Sequence, residues 1–197
     1  MKTILLTTLL LIGIFQTYSS GQSKQSLGDM IILESMYLRN LGNFSQVWSE
    51  AAGGYLGYGI FFPDHNQLIF RTGYIKQLLR DNKNFDGSLN LVPLHIGGRY
   101  YFNDDNILPF FQFMNGFNII FENLNLLSEK SDRTLVRYFW QIGAGTAISL
   151  FDNFKVDLSI NYNSSFYENN KELFYEAGAM MTGFEYNIGI SWKIPDK

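Results

Sequence analysis

Leu135 to Asn163 reads L-V-R-Y-F-W-Q-I-G-A-G-T-A-I-S-L-F-D-N-F-K-V-D-L-S-I-N-Y-N. From Val136 the even positions run Val136, Tyr138, Trp140, Ile142, Ala144, Thr146, Ile148 and Leu150. Arg137, Phe139, Gln141, Gly143, Gly145, Ala147 and Ser149 fill the odd ones. Beyond Asp152-Asn153 the split is cleaner. Phe154, Val156, Leu158, Ile160 and Tyr162 alternate with Lys155, Asp157, Ser159, Asn161 and Asn163. Successive side chains of a pleated chain leave opposite faces, so strict period two over this length reads as two strands.

The turn between them sets the pairing. Residues directly opposite across a hairpin share a face, so the two apolar rows must meet. That predicts an odd loop, most simply Phe151-Asp152-Asn153, with Asn153 in the left-handed conformation that Asn tolerates. Leu150 is then expected opposite Phe154, Ile148 opposite Val156 and Ala144 opposite Ile160.

Which face is wet decides the fold. A soluble sandwich would turn the apolar row inward. Here the polar row is crowded with small residues (Gly143, Gly145, Ala147, Ser149), as if packed inside something narrow, while the apolar row is bulky. Trp140 to Leu150 spans roughly 25 Å along a membrane normal for a strand tilted by about 40°, the height of the apolar band of a transmembrane barrel. The reading is a lipid-facing outside and a polar inside.

The rest of the chain agrees. Its 197 residues include 12 Tyr, 18 Phe, 18 Gly and no Cys, an aromatic and glycine enrichment that suits an alternating all-β protein. A net charge of -3 without a basic cluster argues against a nucleic-acid partner. The lack of cysteine removes disulfides, thiolate metal sites and thiol nucleophiles. Residues 1–21 read as a secretory signal peptide, with Lys2 as n-region, Ile4 to Phe15 as h-region and Ser19-Ser20-Gly21 as cleavage site. The apolar run is too short for a spanning helix. Residues 22–197 are expected to form one barrel domain.

Strands are expected over 29–41, 54–62, 68–79, 88–102, 107–123, 136–150, 154–163 and 173–194, with polar loops over 42–53, 81–87, 124–134 and 164–172. Short turns are expected at Pro63-Asp64-His65-Asn66, Asn103-Asp104-Asp105-Asn106 and 151–153, because Pro cannot donate to a ladder and Asp and Asn favour turns. The connections therefore alternate long and short. An even strand number with short turns on one side and long loops on the other is the pattern of an outer-membrane barrel. Phe61 and Phe62, Tyr100 to Phe102, Phe154 and Trp192 all fall at the turn side, where an aromatic girdle is expected. The fold class is thus all-β, an eight-stranded antiparallel up-and-down transmembrane β-barrel.

Leu91 to Phe121, L-V-P-L-H-I-G-G-R-Y-Y-F-N-D-D-N-I-L-P-F-F-Q-F-M-N-G-F-N-I-I-F, resembles the central hairpin of small OmpA/OmpW-like outer-membrane β-barrel domains, in which P-L-x-x-G-x-R-Y-Y-F, a turn and x-P-F/Y recur. The Gly143-Ala144-Gly145 strand followed by L-F-D-N-F-x-V-D-L-x-I-N-Y-N is similar too. The resemblance covers nearly all of 22–197. It implies a Gram-negative outer-membrane location, contact with outer-membrane lipid and insertion by the barrel-assembly machinery. One departure is that the family often ends on an aromatic residue, whereas this chain continues past Trp192 to Lys197.

Inward charges are the candidate site: Glu34, Arg71, His95, Arg99, Glu122, Arg137, Lys155, Asp157, Glu185 and Lys193. Charges in a narrow lumen are costly unless paired, so the expectation is a salt-bridge and hydrogen-bond network filling it. The sharper reading is an ion path or small-ligand site, since an eight-stranded barrel is filled by side chains or holds one small ligand. With only two histidines, His65 in a turn and His95 in a strand, no triad, His-based metal site or cofactor is indicated. The expected function is non-enzymatic: envelope structure or surface contact through four external loops. The alternatives are a narrow pore or conduit for small hydrophobic molecules, a soluble lipocalin-type binding protein, and a lipid-modifying barrel enzyme.

Overall fold

A computed structural model describes residues 28–62, 64–80, 85–103, 106–126, 130–166 and 180–194. The expected signal peptide lies outside these residues, as does most of the last loop. Eight strands follow in chain order: β1 (Met30–Asn40), β2 (Trp48–Phe62), β3 (Asn66–Leu79), β4 (Phe85–Tyr101), β5 (Ile107–Leu126), β6 (Lys130–Phe151), β7 (Phe154–Phe166) and β8 (Met180–Lys193). Each pairs antiparallel with its neighbours in sequence, and β8 returns to β1 to close the barrel. Closure leaves no strand edge to cover.

Alternation does what it was expected to do. On β1 exposed and buried positions alternate without a break, with Ile31, Leu33 and Tyr37 outside and Glu34 inside. Around the barrel, Leu56, Phe70, Leu94, Phe117, Ile160 and Ile188 stand exposed on the outer surface. Such a continuous apolar exterior would be an aggregation hazard in water and is the surface that lipid covers. In the β6–β7 hairpin Ile148 lies opposite Val156 and Ala144 opposite Ile160, as the shared apolar face requires.

The turn itself differs. Phe151 pairs with Phe154 around a two-residue Asp152-Asn153 loop, and the register shifts between Ser149 and Phe151. Leu150 is therefore the extra residue of a bulge, not the partner of Phe154. A bulge restores the odd count while the turn stays tight. Asn153 is not left-handed either. Among the described residues the only non-glycine positions with positive φ are Asp64 (66°) and His65 (67°), in the β2–β3 turn.

Five strands also run beyond their expected ends on the loop side. β2 begins at Trp48, β4 at Phe85 and β6 at Lys130, while β5 reaches Leu126 and β7 Phe166. A ladder needs backbone partners, not apolar alternation, so strands continue past the apolar band into polar sequence. β8 begins at Met180 among the described residues, and the expected start at Leu173 lies outside them. Inside the supposed 42–53 loop, Phe44–Val47 forms a short helix, α1. Gly42 enters it with φ 64°, a turn that glycine makes without strain.

Candidate functional site

The inward rows of eight strands meet in a lumen with three levels. Nearest the turns sit Tyr101, Leu108, Phe110 and Ala147, with Phe61 packed against them. Phe61 and Tyr101 stack with ring centres 5.6 Å apart, so these two rings fill the lumen and are not part of the outer girdle. Phe62, Tyr100, Phe102 and Trp192 are on the outside at that rim. The Lys155 ammonium lies 5.6 Å from the Phe61 ring and 5.7 Å from the Tyr101 ring. Its Nζ is buried without a hydrogen-bond partner.

Above this level is the polar network. Arg99 lies over Phe110 with its Cζ 3.9 Å from the ring centre, donates to Gln112 at 3.1–3.2 Å, and reaches Asp157 and Glu34 at 3.5 Å each. Glu34 also takes Arg71 at 3.4 Å, so one carboxylate bridges two guanidiniums. Arg71 covers the Tyr55 ring at 3.9 Å, donates to Gln141 at 2.6 Å and comes within 3.8 Å of Glu185. Glu185 is the hub. It accepts from Tyr55 Oη (3.0 Å), Gln141 (2.8 Å), Asn163 (3.1 Å) and Asn187 (2.9 Å). Asp157 accepts from Ser191, and Gln112 donates to Asn161 at 2.6 Å. Three cations (Arg71, Arg99, Lys155) stand against three carboxylates (Glu34, Asp157, Glu185), all buried, and their formal charges cancel. Mutual pairing of this kind is what allows charge to remain in a narrow interior.

His95 belongs to the same level. Arg71 Nε donates to its Nδ1 at 3.3 Å, and its Nε2 faces Asn118 Oδ1 at 3.0 Å. Because Arg71 has only protons to give, Nδ1 is the acceptor and Nε2 carries the hydrogen. The imidazole lies flat on Phe139, 4.0 Å between centres and 2° from parallel. His95 is on β4 and Phe139 on β6, with Gly116 of β5 between them in the register. Gly116 has φ 153°, and a Cβ there would run into the backbone of Leu94 and His95. Two rings two strands apart therefore meet over a residue with no side chain.

The loop-side level is apolar, which corrects the expectation of a polar inside throughout. Met36, Leu38, Ile75, Leu89, Leu91, Ile120, Leu124 and Met181 form one cluster with Phe44 of α1 and Trp48. Phe44 and Trp48 stack at 6.2 Å, and Trp48 is 0% exposed, closing the lumen from above. Little space remains inside. One cavity of about 20 Å³ lies under the apolar cluster beside His95 and Glu185, and another of about 10 Å³ lies between Glu34, Arg71 and Arg99. Each is on the order of one water.

Of the ten inward charges, Glu34, Arg71, His95, Arg99, Asp157 and Glu185 are joined by hydrogen bonds or ion pairs. Lys155 lies beside them against rings. Glu122 is elsewhere, near the loop end of β5, in a two-pronged pair with Arg133 at 2.7 and 3.0 Å. Arg137 is half-exposed and donates to the Val136 carbonyl, and Lys193 is half-exposed at the turn-side mouth. Reading charges alone passes over the amides and phenols that complete the network: Tyr55, Gln112, Gln141, Asn118, Asn163 and Asn187. Their signal was their place on inward rows. No group of three or more His, Asp or Glu among the described residues is arranged to hold a metal ion.

This architecture has parallels among solved structures. The neisserial surface protein NspA superposes with a TM-score of 0.61 at 14% identity, over 85% of this chain and 97% of that one. Ail, the attachment invasion locus protein of Yersinia pestis, gives 0.56 at 14% identity, over 84% and 97%. The outer-membrane protein OprG of Pseudomonas aeruginosa gives 0.56 at 11% identity, over 86% and 97%. At such identities the likeness shows the fold, that of the small eight-stranded outer-membrane barrels. No family model matches the sequence, and no curated protein matches it.

Proposed function

We propose that this chain is an integral outer-membrane protein of a Gram-negative bacterium, exported by a signal peptide in residues 1–21. It is non-enzymatic and acts in envelope structure or surface contact through its loop end. The observation that carries this reading is the pairing of a continuous apolar exterior with a lumen filled by its own side chains. Lipid satisfies the first, and the second leaves no room for a substrate. Two of the similar structures are named as a surface protein and an attachment protein, which supports contact through the loop end. Insertion would use the barrel-assembly machinery, and no cofactor enters the reading. The ten inward charges serve as lumen filling, with six of them in one network.

A conduit for small hydrophobic molecules has one observation in its favour, the apolar level beneath α1. Trp48 and Phe44 close that level, and the polar network blocks the path below it. The two readings separate by experiment. The mature chain in detergent should run as a compact band that shifts on boiling, in the outer-membrane fraction, and should give no discrete conductance steps in planar bilayers. A soluble periplasmic protein without a shift would overturn the membrane reading. Discrete steps would replace the filled lumen by a pore.

A further inference from the structure

The outward row of β5 runs Ile107, Pro109, Phe111, Phe113, Asn115, Phe117, Ile119 and Phe121. Every member but one is apolar. Asn115 shares its face with exposed Phe111, Phe117 and Phe121, while Gln112, Met114, Gly116 and Asn118 on the other face are buried in the lumen. At the rise of a tilted strand, about 20 Å of apolar wall lies on the turn side of this amide and about 15 Å on the loop side. Its neighbours offer it little. Asn115 is opposite Ile96 on β4 and Trp140 on β6, and β5 is paired along both edges at this point. Among the described residues nothing is hydrogen-bonded to the Asn115 side chain. By contrast Asn90, an outward amide of β4 nearer the loop end, accepts from Tyr74 Oη at 2.6 Å. Were the Trp140 indole to turn toward Asn115, its single N–H would satisfy only Oδ1 and leave both amide N–H groups bare. A polar group in hydrocarbon is costly until its donors and acceptor are met.

We propose that the face of β4–β6 around Asn115 docks a second copy of this chain within the membrane, as a two-fold dimer in which the two Asn115 amides bond each other. The proposal rests on the membrane reading above. Complementarity selects the occupant. Acyl chains carry neither donor nor acceptor, and the headgroups lie too far along the wall for so short a side chain. A primary amide is its own complement, with N–H groups to give and a carbonyl to receive. Copies inserted in the same direction hold Asn115 at the same depth. A two-fold axis along the membrane normal therefore sets one amide against the other, with the same patch used by both copies. A different partner would need an outward amide of its own at this depth, which a second copy supplies without further requirement. The flanking Ile96, Phe113 and Phe117 are apolar and provide the packing around the polar pair.

The chain has no cysteine, so Asp152→Cys in the exposed β6–β7 turn gives a single site for a donor or acceptor dye. Labelled barrels are refolded into phosphatidylcholine vesicles over a series of lipid-to-protein ratios, and association is read as energy transfer. The otherwise unchanged chain should transfer above the level of random encounter. Asn115→Leu should need about ten-fold higher density in the membrane to match it, and Asn115→Gln, which keeps the amide, should stay close to it. Placement is read in the unlabelled chain. Phe117→Cys, beside Asn115 in the outward row, should give a disulfide-linked dimer with an added oxidant, and Leu33→Cys, four strands away on β1, should not. No transfer at any ratio, equal transfer by Asn115→Leu, or equal cross-linking from Leu33→Cys would overturn the proposal. The urea midpoint of the compact gel band in dilute micelles reports folding separately. Asn115→Leu should keep or raise it; a lowered midpoint would assign the amide to the barrel itself and overturn the proposal too. Loss of the compact band from the parent would sink the membrane reading instead.

Discussion

Midway along the lumen, Arg71, Arg99, Glu34, Asp157 and Glu185 hold one another in place across strands β1, β3, β4, β7 and β8. At the level beneath α1, Met36, Leu89, Ile120, Leu124 and Trp48 fill the same width with hydrocarbon. The wall around both levels is the same hydrogen-bonded ladder, so the difference lies in how the filling fails. An apolar level loses the contacts of the removed atoms and keeps whatever cavity does not collapse. A polar level loses a partner and strands every group that partner satisfied.

The largest effect should therefore come from Glu185→Leu, which leaves Tyr55, Gln141, Asn163 and Asn187 without their acceptor and takes one of two carboxylates from Arg71. A loss of about 3–5 kcal/mol is expected from breaking one side of a buried pair, read as a lowered urea midpoint of the compact band in micelles. Trp48→Ala tests the apolar level. Its cost, at most about 3–5 kcal/mol for a large buried ring, should be the smaller of the two, because α1 is free to settle onto the space left behind. Should Trp48→Ala prove the more damaging, the barrel depends on its apolar cap rather than on its charges.

Gly116→Ala sharpens the comparison at the boundary between the levels. A Cβ there presses on the backbone of Leu94 and His95 at a φ that side chains rarely adopt, for a cost of about 1–3 kcal/mol. The His95–Phe139 stack should loosen with it, visible as altered aromatic circular dichroism. Lys155→Met should be nearly silent, within about 1 kcal/mol by the same midpoint. It gives up contact with two rings but also removes a buried ammonium that has no hydrogen-bond partner. A large loss there would mean that Lys155 is paired in the membrane-embedded protein. Smallest of all is Arg80→Ala, about 0.5 kcal/mol, since Arg80 and Glu50 are 49% and 40% exposed and water screens their attraction.

How much of this was legible differs by level. The outward rows could be read residue by residue, because lipid demands an apolar side chain at every second position and tolerates few exceptions. The β6–β7 pairing of Ile148 with Val156 followed from parity alone, while the bulge at Leu150 did not. Bulges depend on the twist a particular turn accepts, and many loops share one parity. The loop-side ends of β4, β5 and β6 were hidden for a related reason. Beyond the apolar band their sequence is polar, and only the presence of a neighbouring strand makes it β. Trp48 and Phe44 sat in a stretch that reads as loop, since a plug is defined by what it covers.

By itself the sequence determined which side chain faces which way, how many strands close the barrel and where the short turns lie. All three follow from period-two alternation and local turn chemistry, which act over a few residues. The tertiary structure alone decided who meets whom inside. Arg71 bonds Gln141 and Arg99 reaches Glu34 across the lumen, between strands that share no ladder. Those meetings depend on the stagger accumulated around the whole closed circuit. No local pattern encodes that sum, so inward charge could be read from the chain, but its partners could not.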